Sequence, residues 1–122
     1  AMCGAFLGAA ASHRPVVIDG FISVVAALCA VRLCPAARGY LVPSHMSYEI
    51  GYNLAMKELG LEPIFHLGMR LGEGSGCPLA FQVLGAACAV MNDMATFDQA
   101  GIDDGYLEEI REGDKFTVEE TR

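Results

Sequence analysis

The chain has 122 residues, 53% of them hydrophobic and only 19% charged, which suits one domain with a sizeable core and excludes a disordered segment. Its formal net charge is −7, and nine acidic against three basic residues after Phe97 carry most of it, so the body of the chain is nearly neutral. There is no basic stripe to follow a phosphate backbone, so nucleic acid is not an expected partner.

Residues 2–12 (MCGAFLGAAAS) are small and apolar, with no breaker stronger than Gly4 and Gly8, which predicts a helix pressed closely on a neighbour. Pro15 stops it. Val16, Val17 and Ile18 form a β-branched run ending in Asp19-Gly20, the pattern of a fully buried strand. Residues 21–34 (FISVVAALCAVRLC) stay apolar long enough for a buried crossover helix, closed by Pro35 and a loop through Gly39. Tyr40, Leu41 and Val42 predict a second strand. Ser44 or Ser47 can cap a third helix that carries Ile50, Leu54 and Leu59 inward and ends at Gly60, with Pro63 just beyond. Ile64 to Leu67 predict a third strand, residues 68–76 a loop, and residues 78–97 a last helix.

Strands alternating with helices imply parallel pairing and right-handed crossovers, so the expected fold is α/β, a doubly wound, Rossmann-like three-layer parallel sheet. Ligands of such sheets gather beyond the carboxyl ends of the strands. Three polar segments fall there: Asp19-Gly20, Ser44 to Glu49, and Gly72 to Gly76.

Gly72-Glu73-Gly74-Ser75-Gly76 sets glycine at alternate positions, which lets backbone amides face a ligand and leaves one carboxylate in the middle. A tight strand-to-helix turn is the plainer alternative, with Glu73 at a helix start where the dipole favours an anion. Three glycines, each costly to order, exceed what such a turn needs. The spacing is not the Gly-x-Gly-x-x-Gly of dinucleotide sites, so a dinucleotide-dependent oxidoreductase is not expected.

Hydroxyls and free amides at Ser44 and Ser47 either favour a phosphate or simply cap a helix. His45 and Glu49 stand four apart, the spacing of a metal pair, but no third ligand has a recognisable spacing and no metal is expected. Asp19 is either a cap for the following helix or a ligand group at the sheet's edge. Cys3, Cys29, Cys34, Cys77 and Cys88 are odd in number and form no Cys-x-x-Cys pair, so reduced, mostly buried thiols are expected. Gln82, Asn92 and Asp93 break the longest apolar candidate for a membrane span, and no basic region precedes the apolar start. The expected location is the cytoplasm, with no membrane partner.

Taken in order, Pro15-Val16-Val17-Ile18-Asp19-Gly20-Phe21, Ser44-His45-x-Ser47-x-Glu49, Met69-Arg70-Leu71-Gly72-Glu73-Gly74-Ser75-Gly76 and Met94-Ala95-Thr96-Phe97 resemble the nicotinate-nucleotide:dimethylbenzimidazole phosphoribosyltransferase family. The likeness runs from residue 1 to about residue 101 and corresponds to roughly the last third of a family member, without the family's upstream glycine-rich segment. Tyr52 stands where the family often has histidine, and Cys77-Pro78 follow the glycine loop where small residues are usual.

The resemblance implies that residues 1–101 are the C-terminal part of a larger α/β domain, to which they supply about three strands and four to five helices, with 102–122 as an acidic tail. It implies transfer of phosphoribose from nicotinate mononucleotide to 5,6-dimethylbenzimidazole or a related azole, giving α-ribazole phosphate for the lower ligand of cobalamin. No cofactor is implied, and the expected assembly is a homodimer. By the same resemblance Glu73 is the catalytic base, while Asp19, Ser44, Ser47, Leu71, Gly72, Gly74, Ser75 and Gly76 contact substrate. The 122 residues alone are expected to be inactive, because part of a crevice orients substrate poorly. The competing expectation is a non-catalytic remnant of the family that serves as a nucleotide-binding or subunit-interaction module.

Overall fold

Small apolar residues carry the chain into helix α1 (Met2–Ala11), which turns Phe6 into the core of a computed structural model that describes residues 1–102 and Gly105. Strand β1 (Val16–Ile18) follows, with Ile18 wholly buried and its two valines half-buried. Helix α2 (Phe21–Leu33) buries Val24, Ala27 and Ala30 along one face and leads through a 3₁₀ turn at Pro35–Tyr40 into strand β2 (Leu41–Pro43). The two strands pair in parallel, Val16 opposite Leu41, Val17 opposite Val42 and Ile18 opposite Pro43. A helix joining two parallel strands makes the fold α/β.

Helix α3 (Ile50–Leu59) brings Tyr52, Ala55, Met56 and Leu59 to the same core. It stops at Gly60, whose φ of 63° is the left-handed cap that a glycine before Pro63 predicts. Arg38 closes the end by donating from Nε to the Leu59 carbonyl at 2.6 Å. Helix α2 packs against both α1 and α3, so Val24, Ala27 and Ala30 lie at the centre of the core.

Several expectations are corrected. The third strand reduces to one parallel bridge between His45 and Phe65, made by the Phe65 N–H on the Ser44 carbonyl and the Met46 N–H on the Phe65 carbonyl, each 2.9 Å. Pro63 brings no N–H to lengthen the ladder, and Gly68, with φ at 63°, turns the chain away. The third helix begins at Ile50 rather than at Ser44, and neither serine caps it: Glu49 is the N-cap, with no side-chain cap bond. The inward stripe is Tyr52, Ala55, Met56 and Leu59, so Leu59 is buried as expected while Ile50 and Leu54 are 89% and 70% exposed.

Helix α1 packs on α2 as expected, but Gly4 and Gly8 face open space, so these two glycines do not serve that approach. No cysteine is buried: Cys3 and Cys77 are half-buried and the other three exposed, because alanines and Val24 take the core face of α2. The last helix starts earlier than its pattern predicts and breaks sooner, giving α4 (Gly76–Asp93) and a short α5 (Phe97–Ala100). Thr96 forces the break with a capping box, its Oγ1 accepting the Gln99 N–H at 3.3 Å while Gln99 Oε1 accepts the Thr96 N–H at 3.0 Å.

Two compact units result, Ala1–Ala86 and Ala87–Arg122. The first holds the core. The second holds the end of α4 and then α5, and its described residues are all exposed. The acidic stretch 102–122 lies outside the described residues apart from Ile102 and Gly105. Among the described residues no helix is long and apolar enough to cross a membrane.

Candidate active site

β1 ends at Ile18, and the next residue starts the site. Asp19 has its own N–H fixed by Ser23 Oγ at 3.0 Å, and that hydroxyl donates in turn to the Gly20 carbonyl at 2.7 Å. The Asp19 carboxylate then reaches across to the glycine loop. Its Oδ2 accepts the Gly74 N–H at 2.8 Å and its Oδ1 the Gly76 N–H at 2.9 Å. The amides freed by glycine thus face a carboxylate of the chain itself.

Behind Asp19 stands the end of β2. Ser44 is wholly buried, its hydroxyl donating to the Ile18 carbonyl at 2.8 Å and lying 3.2 Å from His45 Nδ1. His45 is buried too, with Nδ1 3.6 Å from Asp19 Oδ1. Its backbone carbonyl accepts the Tyr52 hydroxyl at 2.8 Å. Because residues 44–49 are not helical, His45 and Glu49 do not share a helical face, and the spacing of a metal pair has no geometric counterpart.

The loop glycines serve two different needs. Gly72 and Gly74 have φ of 67° and 81°, the left-handed region that glycine enters freely. Gly76 is needed for space: a Cβ there would lie 2.2 Å from His45 Nδ1 and 2.6 Å from Ser44 Oγ. Between the first two, Glu73 is itself left-handed at φ 53°, a conformation that costs a side-chain-bearing residue about 1–2 kcal/mol. Glycine would sit there without that cost, so the turn itself does not call for a carboxylate.

Glu73, itself exposed, lies on the wall of a cavity of about 500 Å³ at the carboxyl end of β1. Asp19, Leu71, Gly72, Glu73 and Gly74, all candidates from the sequence, line it. Phe21 and Ile22 add an apolar wall, and Glu49 a third carboxylate beside Asp19 and Glu73. Among the described residues Glu73 has no ion-pair partner, whereas Glu49 accepts the hydroxyl of Ser47. Ser47 lines a neighbouring hollow of about 240 Å³ with His66 and Arg70, the guanidinium of Arg70 lying 4.4 Å over the Tyr48 ring.

Ser44 and Gly76 are not brought to the cavity; both are buried behind it. Among the described residues the buried Ser75 hydroxyl has no hydrogen-bond partner, and it does not line the cavity either. Met2, Phe21, Ile22 and Ser23 are cavity walls that reasoning from sequence does not single out, whereas Glu49 ends the Ser44 to Glu49 segment expected there. One signal for Phe21 is present in the chain: Gly51 leaves room for its ring, whose atoms would be 2.6 Å from a Cβ at that position. Burial first, and the Asp19 charge second, push the Cys77 thiol up, so this cysteine is not an activated nucleophile.

A protein-family model described as Phosphoribosyltransferase matches residues 1–102. A nicotinate-nucleotide–dimethylbenzimidazole phosphoribosyltransferase of Clostridium perfringens is 58% identical over 118 residues, which cover 97% of this chain and 33% of that protein. One from Bradyrhizobium diazoefficiens is 50% identical over 104 residues, covering 85% of this chain and 30% of that protein. The crystal structure of CobT from Thermus thermophilus is similar with a TM-score of 0.79 at 38% identity, covering 85% of this chain and 31% of that one. The chain therefore spans about a third of the length of the curated relatives it matches.

Proposed function

The chain belongs to the nicotinate-nucleotide:dimethylbenzimidazole phosphoribosyltransferase family, and from that premise we propose that its cavity is the azole end of an active site in which Glu73 is the general base. The reaction moves phosphoribose from nicotinate mononucleotide to a ring nitrogen of 5,6-dimethylbenzimidazole or a related azole. The bond from the anomeric carbon to the pyridinium nitrogen breaks, and its electron pair leaves with nicotinate as a neutral ring that needs no acid. The azole nitrogen forms the new glycosidic bond. Its second ring nitrogen then sheds a proton that grows acidic as the bond forms, and the Glu73 carboxylate takes it. A positioned base of this kind contributes ~10²–10⁴ in rate. The product is α-ribazole phosphate, destined for the lower ligand of cobalamin.

The observation that carries this reading is Glu73 held left-handed at the cavity's edge, without an ion-pair partner among the described residues. Phe21, Ile22 and Leu71 supply the apolar surface a flat azole needs, and the backbone at Gly72 and Gly74 lets it approach. Ser47, which lines the neighbouring hollow with Arg70, holds ribose or phosphate in this reading. In the complete protein this chain forms the C-terminal part of a Rossmann-like three-layer domain, through residue 101, with 102–122 as an acidic tail. The assembly is a cytoplasmic homodimer.

Release of nicotinate from nicotinate mononucleotide and 5,6-dimethylbenzimidazole tests the proposal. The 122 residues alone are expected to release none. A chimera in which this chain replaces the matching third of the Clostridium perfringens relative is expected to be active. Glu73→Gln in that chimera should lower turnover at least ~100-fold with little change in nucleotide binding. Undiminished turnover in that variant would remove Glu73 as the base, and an inactive chimera that still binds nucleotide would favour a binding module over an enzyme.

A further inference from the structure

We infer that Asp19 is a positioning residue, whose carboxylate clamps the Gly74 and Gly76 amides and so holds the left-handed run at 72–74 with Glu73 facing the cavity. The inference rests on Glu73 being the base, and goes beyond it by assigning how that base is held.

Asp19 is fixed at its root. It follows Ile18, which is wholly buried, and the Ile18 carbonyl is held by both the N–H of Ser44, at 2.9 Å, and its hydroxyl. The Asp19 N–H is taken by Ser23, and His45 Nδ1 closes in behind Oδ1. The side chain therefore projects from a rigid strand end, not from a loop. Each of its oxygens is met by one loop amide, from residues 55 and 57 positions further along the chain. Among the described residues two backbone bonds inside the loop support the turn, Ser75 N–H on the Gly72 carbonyl and Cys77 N–H on the Gly74 carbonyl.

Three successive residues at positive φ, one of them a glutamate, do not stay so on local bonds alone; an outside contact has to fix them. Asp19 is that contact. It joins the loop on both sides of Ser75, immediately after Glu73, where a small backbone rotation would swing the base away from the azole. A carboxylate already bound to two amides and facing Glu73 across the same cavity is also a poor seat for the phosphate of the substrate.

Amide hydrogen exchange on the full 122-residue chain tests the clamp directly. In Asp19→Asn, close to isosteric but with a donor facing one amide, exchange at Gly74 and Gly76 is expected to quicken at least ~10-fold, while amides in α1, α2 and α3 keep their protection. Asp19→Ala, which adds no donor, should behave alike. Unchanged exchange at both glycines overturns the inference.

Kinetics in the Clostridium perfringens chimera separate positioning from substrate contact. Asp19→Asn should lower kcat by roughly 30-fold with KM for nicotinate mononucleotide within about threefold, and in a Glu73→Gln background it should add less than about threefold, because two groups acting as a unit are not additive. Losses that multiply in full, or a KM that rises while kcat holds, overturn the positioning role. If Glu73→Gln alone leaves turnover intact, it is the base assignment that fails, and the exchange result still decides whether Asp19 holds the loop.

Discussion

Tyr52 is wholly buried, and its hydroxyl donates to the carbonyl of His45, one of the residues that back the site. Ionising it would place an anion in apolar surroundings close to Asp19, so its pKa is pushed up to about 12, by burial first and by the Asp19 charge second. In the unfolded chain a tyrosine titrates near 10. Between those values the folded state keeps a proton that the unfolded state has released, so stability falls as pH rises, and the contribution is present in full below about 10. Melting curves taken from neutral pH upward should show that loss, and Tyr52→Phe should flatten it. At neutral pH the same substitution leaves the His45 carbonyl without its donor and should cost about 1–2 kcal/mol. A phenylalanine variant with an unchanged alkaline slope and unchanged melting at neutral pH would contradict this account.

The first residue of α4 touches the ends of both strands, and that decides what a methyl group does there. Gly76→Ala pushes a Cβ to 2.2 Å from a buried histidine ring and 2.6 Å from a buried serine hydroxyl, neither of which can swing away, so a loss of about 2–3 kcal/mol is expected. Gly85→Ala, further along the same helix with open space around it, should instead stabilise by about 0.5–1 kcal/mol. Denaturant midpoints of the two variants check the opposite signs. Local pattern was enough to place α1, β1, α2, β2 and the Gly60 stop within a residue or two, because proline, glycine and β-branched runs act locally. It was not enough for residues 44–49. Their serines read as helix caps, yet residues 44–46 stay extended because their backbone groups bond Ile18 and Phe65, partners that no neighbouring residue announces. On α3 Leu59 was rightly expected inward, but Ile50 and Leu54 were not, because Tyr52, Ala55 and Met56 take the core face. At the site, Glu73 among glycines and Asp19 at a strand end were legible as candidates, and both line the cavity. That Asp19 meets the loop amides, and that Gly76 is kept for space while Gly72 and Gly74 are kept for φ, depends on contacts between segments far apart in the chain.

At the scale of the whole chain, composition and burial do not match. A chain that is 53% hydrophobic has the means to cover itself, yet beyond Ala80 no described residue is buried, and Phe81 and Met91 of α4, with Met94 just after it, are 58%, 82% and 69% exposed. Isolated apolar residues on a surface are ordinary, but several along one helix are the mark of a face that another surface covers. Ile22, Leu33, Ile50 and Leu54 repeat the pattern on α2 and α3, so the uncovered area is not confined to one helix end. Burial of apolar area at about 25 cal/mol per Å² gives such faces a strong drive to meet. The 122-residue chain is therefore expected to self-associate at micromolar concentration and to bind a hydrophobic dye, both measurable by sedimentation velocity and fluorescence. Replacing Phe81 and Met91 together by lysine should move the sedimentation profile toward monomer while leaving the α1 to α3 core intact by circular dichroism, since both side chains are exposed and neither belongs to that core. A wild-type chain that sediments as a monomer across that range would mean these faces carry no association surface.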